Sequence, residues 1–592
     1  MTQTCTAPAA EHELLAALRA DEHPSFGAMF LHRAQAQPEA TAYLRPGPDG
    51  SWQAQSWAAT ATAVTEIAAG LLALGLRPED RVAIASGTRV EWIEADFGVM
   101  CAGGATTTVY PSSSPDEVAH ILTDSGSRFA VAENESFVAK LLFDGTPVEW
   151  VILIDGVPGD DPRVLTLAQL RERGRAGEPG AVEAAVARVR PDDLATLIYT
   201  SGTTGLPKGV RIAHRAWVYQ GLAIQAMGIV QPDDLGYLWL PLSHAFGKAL
   251  LSCQLSVGFA FAVDGDVSKV VQRLGEVRPT VMPAVPRIFE KVYAAVSGAT
   301  GVQKMLLDWA VSVAGKRKSG LRFRVADRLV LAKIRARFGG RMRYFISGAA
   351  GLSPDIARWF DAVGLPIAEG YGLTESSATS MFNRPDDLEY GTVGRPVPGT
   401  EVRIAEDGEI LLSGPGLMDG YHNLDSSATL RDGWLHTGDI GEITERGSLR
   451  ITDRKKDLIK TSNGKYVAPQ VIESRFKAIC PLAGQFVVHG EKRKFITALI
   501  DLDPDETRKW ASAHGLGDAT HADIARSAPL REAIAGYVEQ LNATLNSWET
   551  IKKFAVLEQN LGVESGELTA SLKLRRRVIE ERYRPLLDDL YA

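Results

Sequence analysis

The chain has 592 residues, with 64 Lys and Arg against 72 Asp and Glu, a formal net charge of −8. That length exceeds one ordinary domain, and 45% apolar with 23% charged residues is a globular composition that excludes disordered and fibrous classes. A net-negative chain is also a poor general partner for nucleic acid.

In chain order, the first 200 residues alternate strand and helix patterns. RVAIAS (81–86) reads as a strand, and the spacing of Trp92, Ile93, Phe97 and Met100 gives a helix behind it. TTTVYP (106–111) is a second strand, EVAHILTD (117–124) a helix and RFAVA (128–132) a third strand. LATLIYT (194–200), LGYLWLP (235–241), PTVMPAV (279–285) and MRYFISG (342–348) continue the series. Such alternation predicts parallel sheets covered by helices. Residues 400–452 change character: EVRIAEDGEILLSG carries an Asp407-Gly408 turn between two strands, a hairpin signal, and DGWLHTGDIGEIT and GSLRITD add short antiparallel strands. After the charged run Asp453–Asp457 the texture becomes a small α+β unit ending in a basic helix. The expected architecture is α/β. A large N-terminal domain (1–455) of helix-covered sheets includes a β-rich subdomain near 400–452. It is hinged to a small α+β C-terminal domain (456–592).

Cys5, Cys101, Cys253 and Cys480 lie far apart with no CxxC pair, so neither a zinc knuckle nor a disulfide framework is expected. The N-terminus lacks a signal-peptide pattern, and no apolar run reaches the ~18 residues of a membrane span. A cytoplasmic protein, peripheral to a membrane at most, is the expectation.

One loop stands out for chemistry. YTSGTTGLPKGV (199–210) follows the strand LATLI and precedes a helix-like stretch from His214. Gly202, Gly205 and Gly209 let backbone approach a ligand. Thr200, Ser201, Thr203 and Thr204 supply hydroxyls, and Lys208 a cation. This is a nest for an anion such as a phosphate chain, although a flexible surface loop has the same composition. The register fits neither a Walker A loop nor GxGxxG.

That loop resembles the signature of the adenylate-forming superfamily of acyl-CoA synthetases, peptide-synthetase adenylation domains and luciferases. EGYGLTESS (369–377), GWLHTGDIG (433–441), ITDRKKDLIKTSNGKYVAPQVIE (451–473) and GELTASLKLRRR (566–577) resemble the family's remaining motifs, in the family's order. KYVAPQVIE, VPRIFEKVY (285–293) and the LTxSLK ending look most like the long-chain fatty acyl-CoA synthetase branch.

The resemblance implies an acid–thiol ligase using ATP, Mg2+ and CoA. A carboxylic acid is adenylated on the α-phosphate, then transferred to CoA with release of AMP. Thr203 and Glu375 would hold Mg2+, with oxygen ligands suited to a hard cation. Thr374 would donate to the α-phosphate, and Lys573 would bridge carboxylate and phosphate. Asp439 would accept from the ribose hydroxyls with Arg454 beside it, Gly348 and Ala349 would lie flat against adenine, and Tyr371 would cover its other face. Glu369, Gly370 and Gly372 complete that motif. Lys456 matches the hinge, Lys460 would lie near the nucleotide, and Gly464 would line the pantetheine tunnel. His244, in PLSHAFG, reads from its neighbours as a core histidine; the resemblance puts it at the floor of the acyl pocket. Lys248 reads as a solvated cation near the tunnel mouth. Two departures from the family are Ala349 or Ala350, where a second glycine is common, and Ala570, where proline is usual before the lysine.

The alternatives are a ligase loading an acyl carrier protein, or a pathway-specific ligase competent mainly in one half-reaction on a non-fatty acid. A non-catalytic nucleotide scaffold is disfavoured by the joint presence of Lys573, Glu375 and Asp439. Finally, residues 315–343 hold eleven Lys/Arg and one acid, Asp327. Leu329, Val330, Ile334 and Phe338 recur there at helical spacing, predicting a basic amphipathic helix that packs its apolar side or docks on an anionic membrane. No nucleic-acid partner is expected.

Overall fold

The structure is a computed structural model that describes residues 3–200, 206–297, 301–316, 318–455, 457–462, 465–569 and 573–592. Ser201, Gly202, Thr203, Thr204, Gly205, Lys456, Gly464 and Ala570 lie outside the described residues. Among those described, two large sheets dominate. A seven-stranded sheet runs in the order Lys208–Ala213, Leu194–Thr200, Ala105–Val109, Arg81–Ala85, Phe129–Ala132, Trp150–Leu153, Val164–Thr166. All its neighbours are parallel except the first pair. A nine-stranded sheet is parallel from Ile367–Tyr371 through Tyr344–Ser347, Val281–Ala284, Leu235–Leu238 and Ala260–Val263 to Thr41–Pro46, with antiparallel strands at both edges. Helices cover both sheets, so strands such as Ala105–Val109 are buried throughout, which is why they read as unbroken runs in the sequence.

The β-rich part is a six-stranded sheet in which the Asp407-Gly408 hairpin pairs Glu401–Ile404 with Glu409–Ser413. Gln3–Cys5 adds an edge strand to it from the far end of the chain, a pairing that no local pattern announces. The C-terminal part is built on the three strands Ala483–His489, Ile496–Leu502 and Ile551–Val556. It has its own apolar core, in which Phe476 stacks on Phe486 with ring centroids 4.0 Å apart.

The site follows from the topology. Parallel strands deliver their carboxyl ends to one edge, where ligands bind in open α/β sheets. Thr200 ends one strand of the first sheet, and Ser347 and Tyr371 end two of the second.

Two elements differ from expectation. Between the phosphate-type loop and the helix His214–Ala226 lies an extra strand, Lys208–Ala213, antiparallel to Leu194–Thr200. Its Val210 and Ile212 are buried, but six residues with Lys and Arg among them hide the alternation. The basic stretch is not one helix. It takes the end of helix Gly301–Lys316 and then runs helically without a break from Leu321 to Arg337, with a π-helical turn over Asp327–Leu331 between Leu321–Ala326 and Ala332–Arg337. The wider turn re-phases the faces: Ala326, Leu331, Ile334 and Phe338 pack inward, while Leu329, expected on the packed side, is 51% exposed.

Close packing is strict where helices Trp57–Ala73 and Leu167–Arg175 meet. A Cβ on Gly174 would lie 1.9 Å from the Glu66 carbonyl oxygen. Alanine is worth about 1 kcal/mol over glycine in a free helix. Here Gly174→Ala is expected instead to destabilise by about 1–3 kcal/mol, measured as a lowered unfolding midpoint.

Candidate active site

A cleft of about 1680 Å³ opens at the carboxyl ends of both large sheets, polar at one end and apolar at the other. Its polar end is organised by Asp439. The ladder between Trp434–Ile443 and Leu449–Arg454 sets Asp439 directly opposite Arg454. Arg454 Nε donates to Asp439 Oδ1 at 3.1 Å, and Tyr371 Oη donates to Oδ2 at 2.7 Å. Burial raises the Asp439 pKa, opposed chiefly by the Arg454 charge and the Tyr371 hydrogen bond, with Lys573 acting the same way. Burial and the adjoining carboxylate also hold the Tyr371 phenol protonated.

The segment after Tyr371 is shaped by backbone. A Cβ on Gly372 would fall 1.8 Å from the Ala378 carbonyl oxygen, so only glycine fits. The chain then turns through Thr374–Ser376, with Leu373 N–H donating to Ser376 Oγ at 3.0 Å. Thr374 is nearly buried at the cleft wall. Glu375 Oε1 accepts from Tyr421 Oη at 2.9 Å. Glu369 also lines the cleft, and burial pushes its carboxyl up to about 8, so it is protonated at neutral pH. Gly370 lies against Phe382, and Gly348 against the Phe246 ring, where a Cβ would come within 3.2 Å. Ala349 has a φ of 68°. That left-handed conformation is the reason glycine suits the position, and Ala349 holds it at a steric cost.

Lys573 enters from the C-terminal part. Thr569 N–H donates to the Lys573 carbonyl at 2.8 Å, and Lys573 N–H donates to Thr569 Oγ1 at 3.0 Å. Leu568 and Leu574 bridge just outside them. The base of this loop is thus pinned without the proline that the family usually carries. The Lys573 side chain projects into the cleft lumen, ringed by protein. That enclosure lowers its pKa, with Arg454 adding to the effect and Asp439 and Glu375 opposing it. Ion pairs hold the C-terminal part in this position: Arg575 Nη2 to Glu117 Oε1 at 2.8 Å, and Arg287 Nη2 to Asp503 Oδ2 at 3.0 Å.

His244 caps the helix Ala245–Val257, its Nδ1 accepting from Phe246 N–H at 3.1 Å. Burial and then the Lys573 charge push its pKa down to about 3, so the imidazole is neutral. With Nδ1 accepting, the hydrogen sits on Nε2. Further along the cleft come apolar groups, including Ile224, Leu250, Cys253, Phe259 and Phe261.

Lys248 corrects the sequence reading. It is fully buried rather than solvated, with Nζ 2.6 and 2.9 Å from the two oxygens of Asp96. Thr106 Oγ1 donates to the same carboxylate at 2.7 Å, and Nζ lies over the rings of Phe26 and Trp217. Burial lowers the Lys248 pKa and Asp96 opposes that. The pair fastens the His244-bearing helix to the helix Val90–Cys101. Two carboxylates in the otherwise apolar run WIEADFGVM, Glu94 and Asp96, were the available signal that buried partners exist; Gln55 serves the first and Lys248 the second.

The cleft thus gathers Thr200, Lys208, His244, Gly348, Ala349, Glu369, Gly370, Tyr371, Gly372, Thr374, Glu375, Asp439, Arg454 and Lys573. Lys460 is not among its walls: its ammonium lies 5.3 Å from the Tyr466 ring centroid, and its amide donates to Glu491. Tyr421 on Glu375, and the pairs holding the C-terminal part, were not foreseen: Arg287 and Arg575 lie within motifs, but nothing local pointed to their partners Asp503 and Glu117.

The family model of AMP-binding enzymes matches residues 30–422, and that of the AMP-binding enzyme C-terminal domain matches residues 456–592. The chain belongs to the AMP-binding enzyme family. Within this family it falls in the long-chain acyl-CoA synthetase branch. It is 34% identical to the long-chain-fatty-acid–CoA ligase FadD15 of Mycobacterium bovis, covering 96% of this chain and 97% of that one. It is 30% identical to the long-chain-fatty-acid–CoA ligase 6 of Mus musculus, over 92% and 83%. In fold it resembles the A domain of a carboxylic acid reductase from Segniliparus rugosus, solved with AMP and a co-purified carboxylic acid. There the TM-score is 0.76 at 20% identity, over 98% and 97% of the two chains. An anthranilate CoA ligase, AuaEII, superposes with a TM-score of 0.72 at 18% identity, over 96% and 98%.

Two outcomes follow for this family member. Lys248→Ala leaves Asp96 buried and unpaired, and is expected to cost about 3–5 kcal/mol. The double change Lys248→Met with Asp96→Leu should recover most of that, read by chemical denaturation. Glu369 is neutral below about pH 8, so Glu369→Gln should leave activity near pH 7 unchanged. The substitution should also remove a loss above pH 8 caused by a new negative charge in the cleft. An unchanged alkaline limb would show that another group sets it.

Proposed function

We propose that this protein is an ATP-dependent long-chain fatty acyl-CoA synthetase, activating its acid as acyl-adenylate and transferring it to CoA. The observation that carries the reading is the meeting of Lys573, Asp439, Glu375 and His244 in one cleft whose far arm is apolar. Each methylene buried in such an arm favours binding by about 0.8 kcal/mol, which suits an alkyl chain.

In the first half-reaction, a carboxylate oxygen attacks the α-phosphorus of ATP. The bond to the bridging oxygen breaks and pyrophosphate leaves. Two anions must approach, and the Lys573 ammonium lies between them, its charge favoured once phosphate enters. Thr374 donates to the α-phosphate, and the neutral His244 donates from Nε2 to the carboxylate. Asp439, held by Arg454, accepts from the ribose hydroxyls. Glu375, with Thr203, would hold Mg2+ through hard oxygen ligands, and the ion would supply neutralisation of triphosphate charge.

In the second half-reaction the C-terminal domain rotates about Lys456, withdrawing Lys573 and parting Arg575 from Glu117 and Arg287 from Asp503. Gly464 then borders the pantetheine arm. The CoA thiolate attacks the acyl carbon and AMP leaves.

A panel of acids with ATP, offered CoA and a phosphopantetheinylated carrier protein, tests substrate and acceptor by mass spectrometry. Saturated long-chain acids converted to CoA thioesters are the expected result; acylation of the carrier alone would replace the acceptor assignment. Lys573→Ala should reduce acid-dependent pyrophosphate exchange by ~10²–10³ or more while sparing thioester formation from supplied acyl-adenylate. Equal loss of both would refute the rotation.

A further inference from the structure

Outside these motifs, one surface is apolar and cationic at once. Helix Gly301–Lys316 packs inward through Leu307, Ala310 and Ala314. Its outward side carries a second apolar stripe: Val302, Met305, Leu306 and Trp309, which are 66%, 66%, 44% and 37% exposed. The spacing i, i+3, i+4, i+7 puts these four on one face. The adjoining helix Leu321–Ala326 and the turn after it continue the pattern with Leu321, Val325 and Leu329, which are 77%, 43% and 51% exposed. Soluble surfaces rarely cluster large apolar side chains in this way.

The same turns carry Arg322, Arg324 and Arg328, all exposed. These three, with Lys316, Lys333, Arg337 and Arg341, make no ion pair among the described residues. The acids nearby are already engaged: Asp308 by Lys304, Asp327 by Arg335, Asp361 by Lys318. Residues 315–343 carry a net +10 in a chain whose total is −8, so the remainder is −18. The cations are segregated rather than scattered.

We propose that helices Gly301–Lys316 and Leu321–Ala326 form a docking surface for an anionic phospholipid bilayer. Charge complementarity selects this occupant. A second copy of the chain, meeting face to face about a two-fold axis, would set these cations against themselves. Nucleic acid would engage the arginines and leave seven apolar side chains unrewarded. A bilayer surface satisfies both: the stripe enters the headgroup–acyl boundary while the arginines meet lipid phosphates. No helix of the described residues is long and apolar enough to cross a membrane, so the contact is interfacial. This surface stands apart from the catalytic reading, and binding can be measured without turnover.

The test is co-sedimentation of the purified protein with vesicles of phosphatidylglycerol and phosphatidylcholine, against phosphatidylcholine alone. Binding to the anionic vesicles only is expected. Arg322→Glu, Arg324→Glu and Arg328→Glu together should weaken it by on the order of a hundredfold. Met305→Ser with Trp309→Ser should weaken it by about tenfold. Unchanged unfolding midpoints show that both variants are folded, as their exposed positions lead one to expect. Equal pelleting of all three proteins overturns the proposal. So does loss in the charge variant alone, or tight binding to duplex DNA that survives the serine changes, since either outcome would describe a simple polyanion site.

Discussion

The carboxylate of Asp439 is the point on which the polar half of the cleft is assembled. One oxygen is held by Arg454, its partner across a β-ladder, and the other by Tyr371 at the end of a strand in a different sheet. Two sheets that share no strand are thereby fixed relative to each other at the site. Neither donor is free to serve a second master: the register sets Arg454, and the glycine-tight turn after Tyr371 sets the phenol. Lys573, from a third structural unit, feels this carboxylate and Glu375 across the lumen. Its environment is therefore defined by residues from every large part of the molecule.

The helix that begins at His244 shows how one short segment holds two opposite electrostatic solutions. His244 is kept neutral by burial, and four residues later Lys248 is buried with a carboxylate, a threonine hydroxyl beside it and two aromatic faces around it. A buried pair of this kind contributes little net stability over well-packed apolar side chains, but breaking it is costly. Its effect is to fix the rotation of the helix whose next turns face the apolar arm.

What the sequence disclosed and what it hid divide along physical lines. The parallel strands were legible because burial on both faces writes itself as continuous apolar runs, and the hairpin at Asp407-Gly408 because a turn has a local chemistry. Of the cleft residues, Thr200 and Lys208 were legible from the chemistry of an anion-binding loop, and the others only as motifs, through resemblance. Three things were not. The strand Gln3–Cys5 pairs across some four hundred positions of chain, and long-range pairing leaves no local trace. Lys248 was misread because a lysine's neighbours do not reveal a carboxylate 152 residues away. The π-helical turn shifted the basic segment by a fraction of a turn, enough to turn Leu329 outward. Ala349 went the other way: noted as a departure from pattern, it proved to occupy a left-handed position, which gives that departure a conformational meaning.

The contacts between Arg287 and Asp503, and between Arg575 and Glu117, are partly buried ion pairs, with Asp503 6% exposed and Glu117 20%. Water and salt reach the arginine side of each pair, so both are weaker than fully enclosed ones. When they part, each leaves an ionic, wettable group on its own face. If the C-terminal domain rotates as proposed, the balance between its two arrangements would answer to whichever ligand occupies the cleft, and to ionic strength.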